Sequence, residues 1–569
     1  MMMSFADLLK PQGRKSIVTG PVEPPLLEVS IPELLATTTR RLPDQTAAVF
    51  ADKNIRWSYQ EFYELTLQMA AGLLALGVVP GDRVGIWSPN RWEWVALQYA
   101  SAQIGAILVS INPAYRRAEL EYALNKTGVS VLMLAEQFKS SDYIAMIEAL
   151  APELASHKGG ALRLEKLPHL NHLVHMGTGD RPGMMTTQNL MQLATDRLIE
   201  KAKEIGAGLD RHDPINIQFT SGTTGAPKGA TLTHANIINN GRFTVARMGL
   251  QQGEMLCLPV PLYHCFGMVM GSLGCVAIGA GLVFPGEAFE PLATLKAIAA
   301  EKCAALYSVP TMFLSMLDHE DFSQFDISSL RTGIMAGAPC PMEVMKRVTR
   351  EMNLKEITIA YGMTETSPVS FQSHPDDPLE MRVSTVGRIH PHVSVKIVDE
   401  AGQTLPVGVQ GELWTKGYSV MHGYWAEAEK TQSSITKDGW MRTGDLATLD
   451  ENGFARITGR LKDMVIRGGE NIYPREIEEF LYQHPAIQQV QVFGVPDEKY
   501  GEELCAYIIL NKGMAASEED IRGFCTDEIA HYKIPRYIRI VTAMPMTVTG
   551  KPQKFLMRDE MIKALKLNT

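Results

Sequence analysis

Residues 215–233 read INIQFTSGTTGAPKGATLT, a glycine-rich loop between two apolar segments. The INIQF segment alternates as a half-buried strand does, and ATLT reads as a second short strand before a helix capped at Thr233. In the loop, glycines let backbone N–H groups converge on an anion, while hydroxyls and the ammonium of Lys228 add hydrogen bonds and charge. The stretch therefore predicts a phosphate-binding loop between two strands.

The residues around the lysine argue against a Walker A loop. A Walker A loop runs from Gly-Lys-Ser/Thr straight into a helix, whereas Lys228 follows Pro227 and precedes Gly229. We therefore do not expect a P-loop kinase.

Composition and charge narrow the class of protein. The chain has 569 residues, 45% of them hydrophobic and 21% charged, which is typical of a soluble globular protein. Its net charge of −9 offers no general attraction for nucleic acid or anionic lipid, so an anionic ligand needs a local site. The seven cysteines are odd in number and contain no CxxC pair, which favours a reducing compartment and argues against zinc.

Two segments bear on localisation. The N-terminal residues 1–20 lack a long apolar run before a cleavage site, so we expect no secretory signal, although their basic character leaves organelle targeting as an alternative. The longest uncharged stretch, residues 265–286, is rich in glycine and predicts a buried helix and strand rather than a membrane span. We expect a cytoplasmic protein without a transmembrane segment, and leave an organelle matrix, peripheral membrane contact and a homodimer open.

Strand and helix patterns alternate along most of the chain. A helix after Ser58, for example, has a capping box with Glu61 and is expected to end at Gly77. Apolar strands such as RVGIWS and AILVSI alternate with such helices, which indicates parallel sheets covered by helices. We predict an α/β fold whose large N-terminal domain, residues 1–460, contains parallel-rich, helix-covered sheets.

The last hundred residues show a different pattern. YPREIEEFL has Pro474 at the first helical position, and a second helix begins at Ser517, with CAYIIL and YIRIV as strands. A polar segment at 459–470, GRLKDMVIRGGE, separates this region from the rest. We predict a small, mobile α+β domain at residues 461–569.

Six motifs, taken in order, resemble one superfamily. They are TSGTTGAPKG (220–229), GAP (337–339), YGMTET (361–366), WMRTGD (440–445), GRLKD (459–463) and PMTVTGK (545–551). Together they resemble the adenylate-forming enzymes, which include acyl-CoA synthetases, adenylation domains of peptide synthetases and luciferases. The resemblance extends over nearly the whole chain.

The resemblance implies a nucleotide site that activates a carboxylate. A carboxylate attacks the α-phosphorus of ATP to give an acyl-adenylate and pyrophosphate, and charge that develops on the phosphates needs donors and cations around it. Tyr361 is expected to stack on adenine, and Asp445, assisted by Arg460, to bind the ribose. Trp440 stands where many relatives have tyrosine. The implied ATP-binding residues are Thr220, Ser221, Gly222, Thr223, Thr224, Gly225, Lys228, Gly337, Ala338, Pro339, Tyr361, Gly362, Asp445 and Arg460.

Three further residues carry the implied chemistry of adenylation. Glu365 would be the carboxylate that holds Mg²⁺, a hard cation that binds one or two carboxylates together with phosphate oxygens. Thr364 would contact the α-phosphate. Lys551, in the small domain, would bridge the carboxylate and the α-phosphate, a task that suits a compact ammonium.

The family then transfers the acyl group to a thiol, here coenzyme A, after rotating the small domain. Lys462 matches the hinge position of that rotation. Gly468 and Gly469 would line the route of the pantetheine arm. Lys533, in YKIPR, is a candidate contact for the CoA phosphates, with a solvated surface lysine as the alternative.

The segments around PLYHCFG and TGIMAGA predict the acid-binding wall. His264 matches a gate between acyl pocket and thiol tunnel in relatives, and a hydrogen-bonded core histidine is the alternative. The uncharged wall suits an alkyl chain better than an amino acid. The predicted wall residues are Phe266, Met268, Val269, Ile334 and Met335.

Within the family, the sequence of the motifs and of the segments around them is most similar to medium-chain and branched fatty acyl-CoA synthetases. The expected partners are therefore a fatty acid, ATP and CoA. An aryl-acid ligase, an enzyme that loads a carrier protein instead of CoA, and a non-catalytic nucleotide-binding protein remain alternatives.

Overall fold

A computed structural model describes residues 9–11, 13–157, 159–220, 227–338, 340–468, 470–526, 528–547 and 550–567. Seven predicted site residues lie outside the described residues, and nothing is concluded about their placement: Ser221, Gly222, Thr223, Thr224, Gly225, Pro339 and Gly469.

The strands are short and are numbered along the chain. They are β1 (Ile17–Thr19), β2 (Thr46–Phe50), β3 (Ile55–Ser58), β4 (Arg83–Trp87), β5 (Ile107–Ile111), β6 (Val129–Leu134), β7 (Gln137–Phe138), β8 (Ser141–Asp142), β9 (His172–His175), β10 (Met184–Thr186), β11 (Pro214–Thr220), β12 (Lys228–Thr233), β13 (Met255–Cys257), β14 (Gly281–Phe284), β15 (Ala305–Ser308), β16 (Thr332–Met335), β17 (Glu356–Gly362), β18 (Val369–Gln372), β19 (Arg388–Ile389), β20 (Val393–Val398), β21 (Gly411–Gly417), β22 (Gly423–Tyr424), β23 (Met441–Leu449), β24 (Ala455–Arg460), β25 (Val465–Arg467), β26 (Glu470–Ile472), β27 (Ile487–Asp497), β28 (Gly501–Leu510) and β29 (Tyr537–Ile540).

The α-helices are numbered in the same way. They are α1 (Ile31–Arg41), α2 (Tyr59–Ala75), α3 (Trp92–Gln103), α4 (Arg117–Thr127), α5 (Tyr143–Leu150), α6 (Thr187–Gln192), α7 (Asp196–Ala207), α8 (His234–Arg247), α9 (Gly274–Ile278), α10 (Pro291–Glu301), α11 (Pro310–Leu317), α12 (Met342–Glu351), α13 (Leu379–Ser384), α14 (Ala428–Ser434), α15 (Pro474–Leu481), α16 (Glu518–Cys525) and α17 (Lys554–Leu565).

Two large sheets contain most of the parallel strands. The eight-stranded sheet has the order β10-β9-β6-β4-β5-β11-β12-β22, parallel from β10 to β11 and antiparallel beyond it. The nine-stranded sheet has the order β19-β18-β17-β16-β15-β13-β14-β2-β3 and is parallel from β17 to β2. The predicted α/β architecture of parallel-rich, helix-covered sheets is confirmed.

A third sheet of the large region is entirely antiparallel. Its order is β1-β20-β21-β23-β24, and it places Asp445 on β23 directly opposite Arg460 on β24. Sequence alternation alone did not separate this sheet from the two parallel-rich ones.

The hydrophobic cores follow this layering. One large core fills the space between the two parallel-rich sheets and the helices α1, α2, α3 and α8, and a second covers the opposite face of the nine-stranded sheet. On β2, Ala48 and Phe50 pack in the first core and Val49 in the second, because successive strand residues point to opposite faces.

The C-terminal region has cores of its own. Two clusters contain only residues between 465 and 567, built on strands β25–β29 with helices α15–α17. This smaller α+β unit is the one expected from the sequence, while the boundary at residue 460 and the mobility of the unit stay predictions.

Local signals in the sequence account for many element ends. Ser58 and Glu61 form the expected capping box at the start of α2, and Gly77 adopts a φ of +85° just beyond its end. Thr233 caps α8, and Pro474 begins α15. No helix among the described residues is long and apolar enough to cross a membrane.

The uncharged stretch 265–286 is buried and contains a segment of π-helix, Phe266–Leu273, followed by α9 and β14. Helix α8 packs against this π-helix with almost no space between the two backbones. A Cβ built on Gly241 would lie 2.5 Å from the carbonyl oxygen of Val269 and 2.9 Å from the amide nitrogen of Gly274. Because neither Gly241 nor Gly274 has a side chain, α8 can pack this closely against the segment that begins with Phe266.

We expect Gly241→Ala to lower the free energy of unfolding by about 1–3 kcal/mol, because backbone atoms must move to admit a methyl group. Thermal unfolding followed by circular dichroism measures the change. Gly208→Ala is the matched control, because its Cβ would meet nothing closer than 3.7 Å. Equal melting temperatures for the two variants would contradict the close packing of α8.

Candidate active site

The predicted site residues converge where strands β11, β16 and β17 end and where the loop before α17 reaches the large region. β11 ends at Thr220, β16 is followed by Gly337 and Ala338, and β17 leads into a 3₁₀ turn at Thr364–Thr366. The carboxyl ends of parallel strands commonly form ligand sites because loops there can vary without disturbing the sheet.

The flanks of the predicted phosphate loop pair as expected. β11 and β12 are antiparallel, and Thr220 pairs directly with Lys228. The ammonium of Lys228 lies 4.9 Å from the ring centroid of Tyr424, over the face of the ring. The two strands predicted to flank the phosphate loop are therefore both present. The six residues between them, 221–226, lie outside the described residues.

A buried carboxylate joins two predicted nucleotide residues. Asp445 is 3% exposed, and its Oδ1 accepts a 2.7 Å hydrogen bond from Nε of Arg460 while its Oδ2 accepts a 2.6 Å bond from the hydroxyl of Tyr361. Burial, reinforced by the Asp445 carboxylate, raises the pKa of Tyr361 well above its usual value, so the phenol remains a donor. The Asp445 carboxylate raises the pKa of Arg460.

Glu365 lies on the 3₁₀ turn after β17 and is 6% exposed. Its Oε1 accepts a 2.8 Å hydrogen bond from the hydroxyl of Tyr424 and a longer one, 3.4 Å, from the hydroxyl of Thr220. A buried carboxylate whose orientation is held by two hydroxyls suits a hard cation that takes its other ligands from phosphate and water. The residues present therefore fit the Mg²⁺ that the motif implies.

Lys551 belongs to a tight hairpin that begins at Pro545. The amide of Thr547 donates to the carbonyl of Lys551 at 2.8 Å, and the amide of Lys551 donates to the hydroxyl of Thr547 at 3.0 Å. The residue before Lys551, Gly550, has a φ of +76°, and a Cβ there would lie 3.0 Å from Oγ1 of Thr311. The C-terminal hairpin is thus packed against the large region at α11.

The side chain of Lys551 extends among the predicted nucleotide residues. A Cβ built on Gly337 would lie 3.7 Å from its Cε. The residue retains solvent-accessible surface, but protein atoms crowd its ammonium, and this burial lowers the pKa of Lys551. The Arg460 guanidinium lowers that pKa further, whereas Asp445 and the thiol of Cys265 act in the opposite direction. The structure therefore brings the lysine of the small unit to the site in the large one.

The predicted acid-binding wall is only partly assembled. Phe266 stacks on Tyr307 with ring centroids 5.2 Å apart, and Met268 and Ile334 are buried in the same core. Met335 follows Ile334 on β16, so its side chain packs on the opposite face of the sheet, in the other core. The structure does not bring Met335 to this wall, because consecutive residues of a strand cannot line one surface.

His264 lies beside this wall and beside Lys551. Its ring contacts that of Tyr263, with centroids 4.4 Å apart. Burial and the nearby Lys551 ammonium lower the pKa of His264 to about 3, so the imidazole is neutral at physiological pH.

A cavity of about 240 Å³ opens next to Tyr263 and reaches the C-terminal hairpin. Its lining contains apolar side chains, among them Pro261 and Met312, together with Lys139 and with Thr547 and Gly550 of the hairpin. The cavity therefore lies between the large region and the C-terminal hairpin, beside the residue that precedes His264.

Three residues that the sequence associated with the thiol step lie in the C-terminal unit or at its junction with the large region. Lys533 makes a 2.5 Å ion pair with Glu476, and the amide of Gly468 donates to the carbonyl of Tyr500 at 2.8 Å. Lys462 lies on the exposed turn between β24 and β25. Lys533 and Gly468 are held by these contacts within the C-terminal unit, whereas Lys462 lies two residues after Arg460 along the chain.

Sequence reasoning missed residues that support the site. Tyr424 contacts both Glu365 and Lys228, and the thiol of Cys265 donates to Oε1 of Gln218 at 3.0 Å. The only available signal for Gln218 was its position as a polar residue in the apolar strand that precedes the phosphate loop. Tyr424 lies outside all six motifs, so the sequence contained no comparable signal for it.

Comparison with known proteins places the chain in a family. A family model described as AMP-binding enzyme matches residues 35–425, and one described as AMP-binding enzyme C-terminal domain matches residues 476–551. The chain is 46% identical over 548 residues to YngI of Bacillus subtilis, provisionally named an acyl-CoA synthetase, covering 96% of this chain and 99% of that protein. It is 46% identical over 555 residues to the mitochondrial medium-chain acyl-CoA ligase ACSF2 of Danio rerio, covering 97% and 91%.

Solved structures agree with these relatives. The anthranilate CoA ligase AuaEII in complex with anthranoyl-AMP superposes with a TM-score of 0.84 and 28% identity, over 95% of this chain and 99% of that one. The family that the six motifs indicated is confirmed. The chain therefore belongs to the AMP-binding, adenylate-forming enzymes.

Proposed function

We propose that the protein is an AMP-forming fatty acid–CoA ligase that favours medium-chain acids. The observation that carries the proposal is the position of Lys551, whose ammonium lies among Gly337, Asp445 and Arg460 although it belongs to the C-terminal unit. A nucleotide-binding protein without catalysis has no need to place a partly desolvated lysine there. The mitochondrial relative ACSF2 is named a medium-chain acyl-CoA ligase, which supports the choice of acid.

In the first half-reaction, an oxygen of the fatty acid carboxylate attacks the α-phosphorus of ATP and pyrophosphate leaves. Asp445 accepts hydrogen bonds from the ribose hydroxyls, because each of its oxygens retains a lone pair beyond its bond to Tyr361 or Arg460. Lys551 lies between the two negatively charged reactants and reduces their repulsion. Thr364, half-buried on the same turn as Glu365, contacts the α-phosphate.

Glu365 holds Mg²⁺ in this proposal, and Lys228 binds the outer phosphates. The bound cation supplies positive charge to the phosphate oxygens. The chain contributes the orientation of the carboxylate, through the hydroxyls of Tyr424 and Thr220.

In the second half-reaction, the thiol of CoA attacks the acyl carbonyl and AMP leaves. The cavity beside Tyr263 is the proposed path of the pantetheine arm, because it lies next to His264 along the chain and reaches the C-terminal hairpin. The small unit rotates about Lys462 between the two steps, which withdraws Lys551 and presents Gly468 and the following residue to the thiol. Lys533 then contacts the CoA phosphates after leaving Glu476.

The wall around Phe266, Met268 and Ile334 supports an alkyl substrate. These side chains are uncharged, and Tyr307 behind Phe266 is fully buried. An ammonium-bearing substrate would lack a carboxylate partner on this wall.

We further propose a reducing compartment such as the cytoplasm, because all seven cysteines are buried free thiols. A homodimer stays a prediction.

The proposed activity is tested by CoA-dependent AMP release with a panel of straight-chain, branched and aromatic acids. We expect octanoate and decanoate to give the highest kcat/KM, because the wall offers no charged group and the relative ACSF2 is named a medium-chain acyl-CoA ligase. Benzoate or anthranilate as the best substrate would support an aryl-acid ligase instead. Accumulation of acyl-AMP in the presence of CoA would indicate a carrier-protein acceptor.

Lys551→Ala separates the half-reactions. We expect acyl-AMP formation to fall by about 10²-fold or more, because the charge placed between the reactants is lost. Thioester formation from preformed acyl-AMP should stay within a few-fold of wild type, since the lysine leaves the site for that step. Lys563→Ala, an exposed lysine of α17, is the control for both assays. An equal loss in both half-reactions would contradict the assigned role.

The neutral state of His264 affects stability. Its folded pKa of about 3 lies below the unfolded value near 6.5, so between these values the unfolded chain binds more protons. Stability should therefore fall as pH decreases from 7 to 5, and His264→Asn should reduce that fall. Melting temperatures at both pH values measure it, with the exposed His531→Asn as control. Because His234 also has a pKa near 3, part of the fall should remain.

A further inference from the structure

Tyr424 lies between two groups that the proposed function places on ATP. It is 7% exposed and belongs to β22, the edge strand that pairs antiparallel with β12, where Tyr424 lies opposite Ala230. The pairing continues through the amide of Trp425, which donates to the carbonyl of Gly229 at 2.7 Å. The backbone of Tyr424 is therefore tied to the strand that begins with Lys228.

The hydroxyl end of the side chain contacts the carboxylate. It donates to Oε1 of Glu365 at 2.8 Å, and both residues are buried. A carboxylate has no proton to give, so the phenol is the donor in this contact.

The face of the same ring contacts the cation. The ammonium of Lys228 lies 4.9 Å from the ring centroid, within the range of a cation–π interaction. Among the residues that the structure describes, no ion pair joins Lys228 to Glu365, although both contact one side chain. A direct pair would neutralise the two charges and remove both from the phosphates and the metal.

We propose that Tyr424 is a positioning residue that holds Glu365 and Lys228 apart, each oriented for its own ligand. Its hydroxyl fixes the carboxylate for a divalent cation, and its ring holds the ammonium for the phosphates. This inference rests on the proposed function, since it takes Glu365 as the metal carboxylate and Lys228 as the phosphate-binding lysine.

Two substitutions separate the contacts. Tyr424→Phe keeps the ring beneath Lys228 and removes the hydroxyl from Glu365, whereas Tyr424→Leu removes both. Calorimetry without fatty acid gives the dissociation constant of ATP in the presence of Mg²⁺ and in EDTA. The dissociation constant in EDTA divided by that in Mg²⁺ measures how strongly the metal and the nucleotide support each other's binding. The measurement requires no turnover.

We expect Tyr424→Phe to reduce this ratio by about tenfold, the scale of a lost support to a metal ligand, while ATP binding in EDTA stays within about twofold. Tyr424→Leu should in addition weaken ATP binding in EDTA, because Lys228 loses its position. In steady-state kinetics, both variants should require a higher Mg²⁺ concentration than wild type, and Tyr424→Leu should be the more impaired of the two.

Tyr99→Phe is the matched control. It removes a buried tyrosine hydroxyl, here bonded to Ser272 at 3.1 Å, at a distance from the nucleotide groups. It should lower the melting temperature and leave the ratio unchanged. A wild-type ratio in Tyr424→Phe would overturn the inference, as would an equal change in Tyr99→Phe. If the wild-type protein binds ATP equally well with Mg²⁺ and in EDTA, the metal role of Glu365 in the proposed function would instead be refuted.

Discussion

The position of the Lys551 ammonium is the constraint that joins the C-terminal unit to the nucleotide residues of the large region. It belongs to a hairpin of the C-terminal unit, yet it lies next to Gly337 and among the charges of Asp445 and Arg460 in the large region. A flexible lysine can be held in such surroundings only if its backbone is anchored nearby. The reciprocal bonds between Thr547 and Lys551, and the contact of Gly550 with Thr311, provide that anchor.

Each of the two carboxylates of the site accepts a hydrogen bond from a tyrosine hydroxyl. The hydroxyl of Tyr361 donates to Asp445, and that of Tyr424 donates to Glu365, each across a buried contact. A phenol suits this position because burial raises its pKa, so it donates a hydrogen bond without adding a charge. Glu365 thereby keeps its full negative charge for a ligand, whereas Asp445 also forms an ion pair with Arg460. Lysine in place of Tyr424 would have formed an ion pair with Glu365 and neutralised that charge.

Much of the fold followed from local patterns. The capping box at Ser58, the cap at Thr233 and Pro474 at the start of α15 depend only on neighbouring residues, and the structure has all three. The placement of Met335 did not follow from its neighbourhood in the motif. Two consecutive residues of β16 were both expected on the acid-binding wall, but the alternation of strand side chains puts Ile334 and Met335 in different cores.

By itself, the sequence determined the family, the nucleotide motifs and the two strands that flank the phosphate loop, because these depend on short runs of residues with strict chemical requirements. Only the tertiary structure decided which distant groups meet. Tyr424 contacts Glu365 and Lys228 because β22 pairs with β12, and Lys551 reaches Asp445 because its hairpin packs on α11. Such contacts join residues far apart along the chain, and the packing of whole elements selects them.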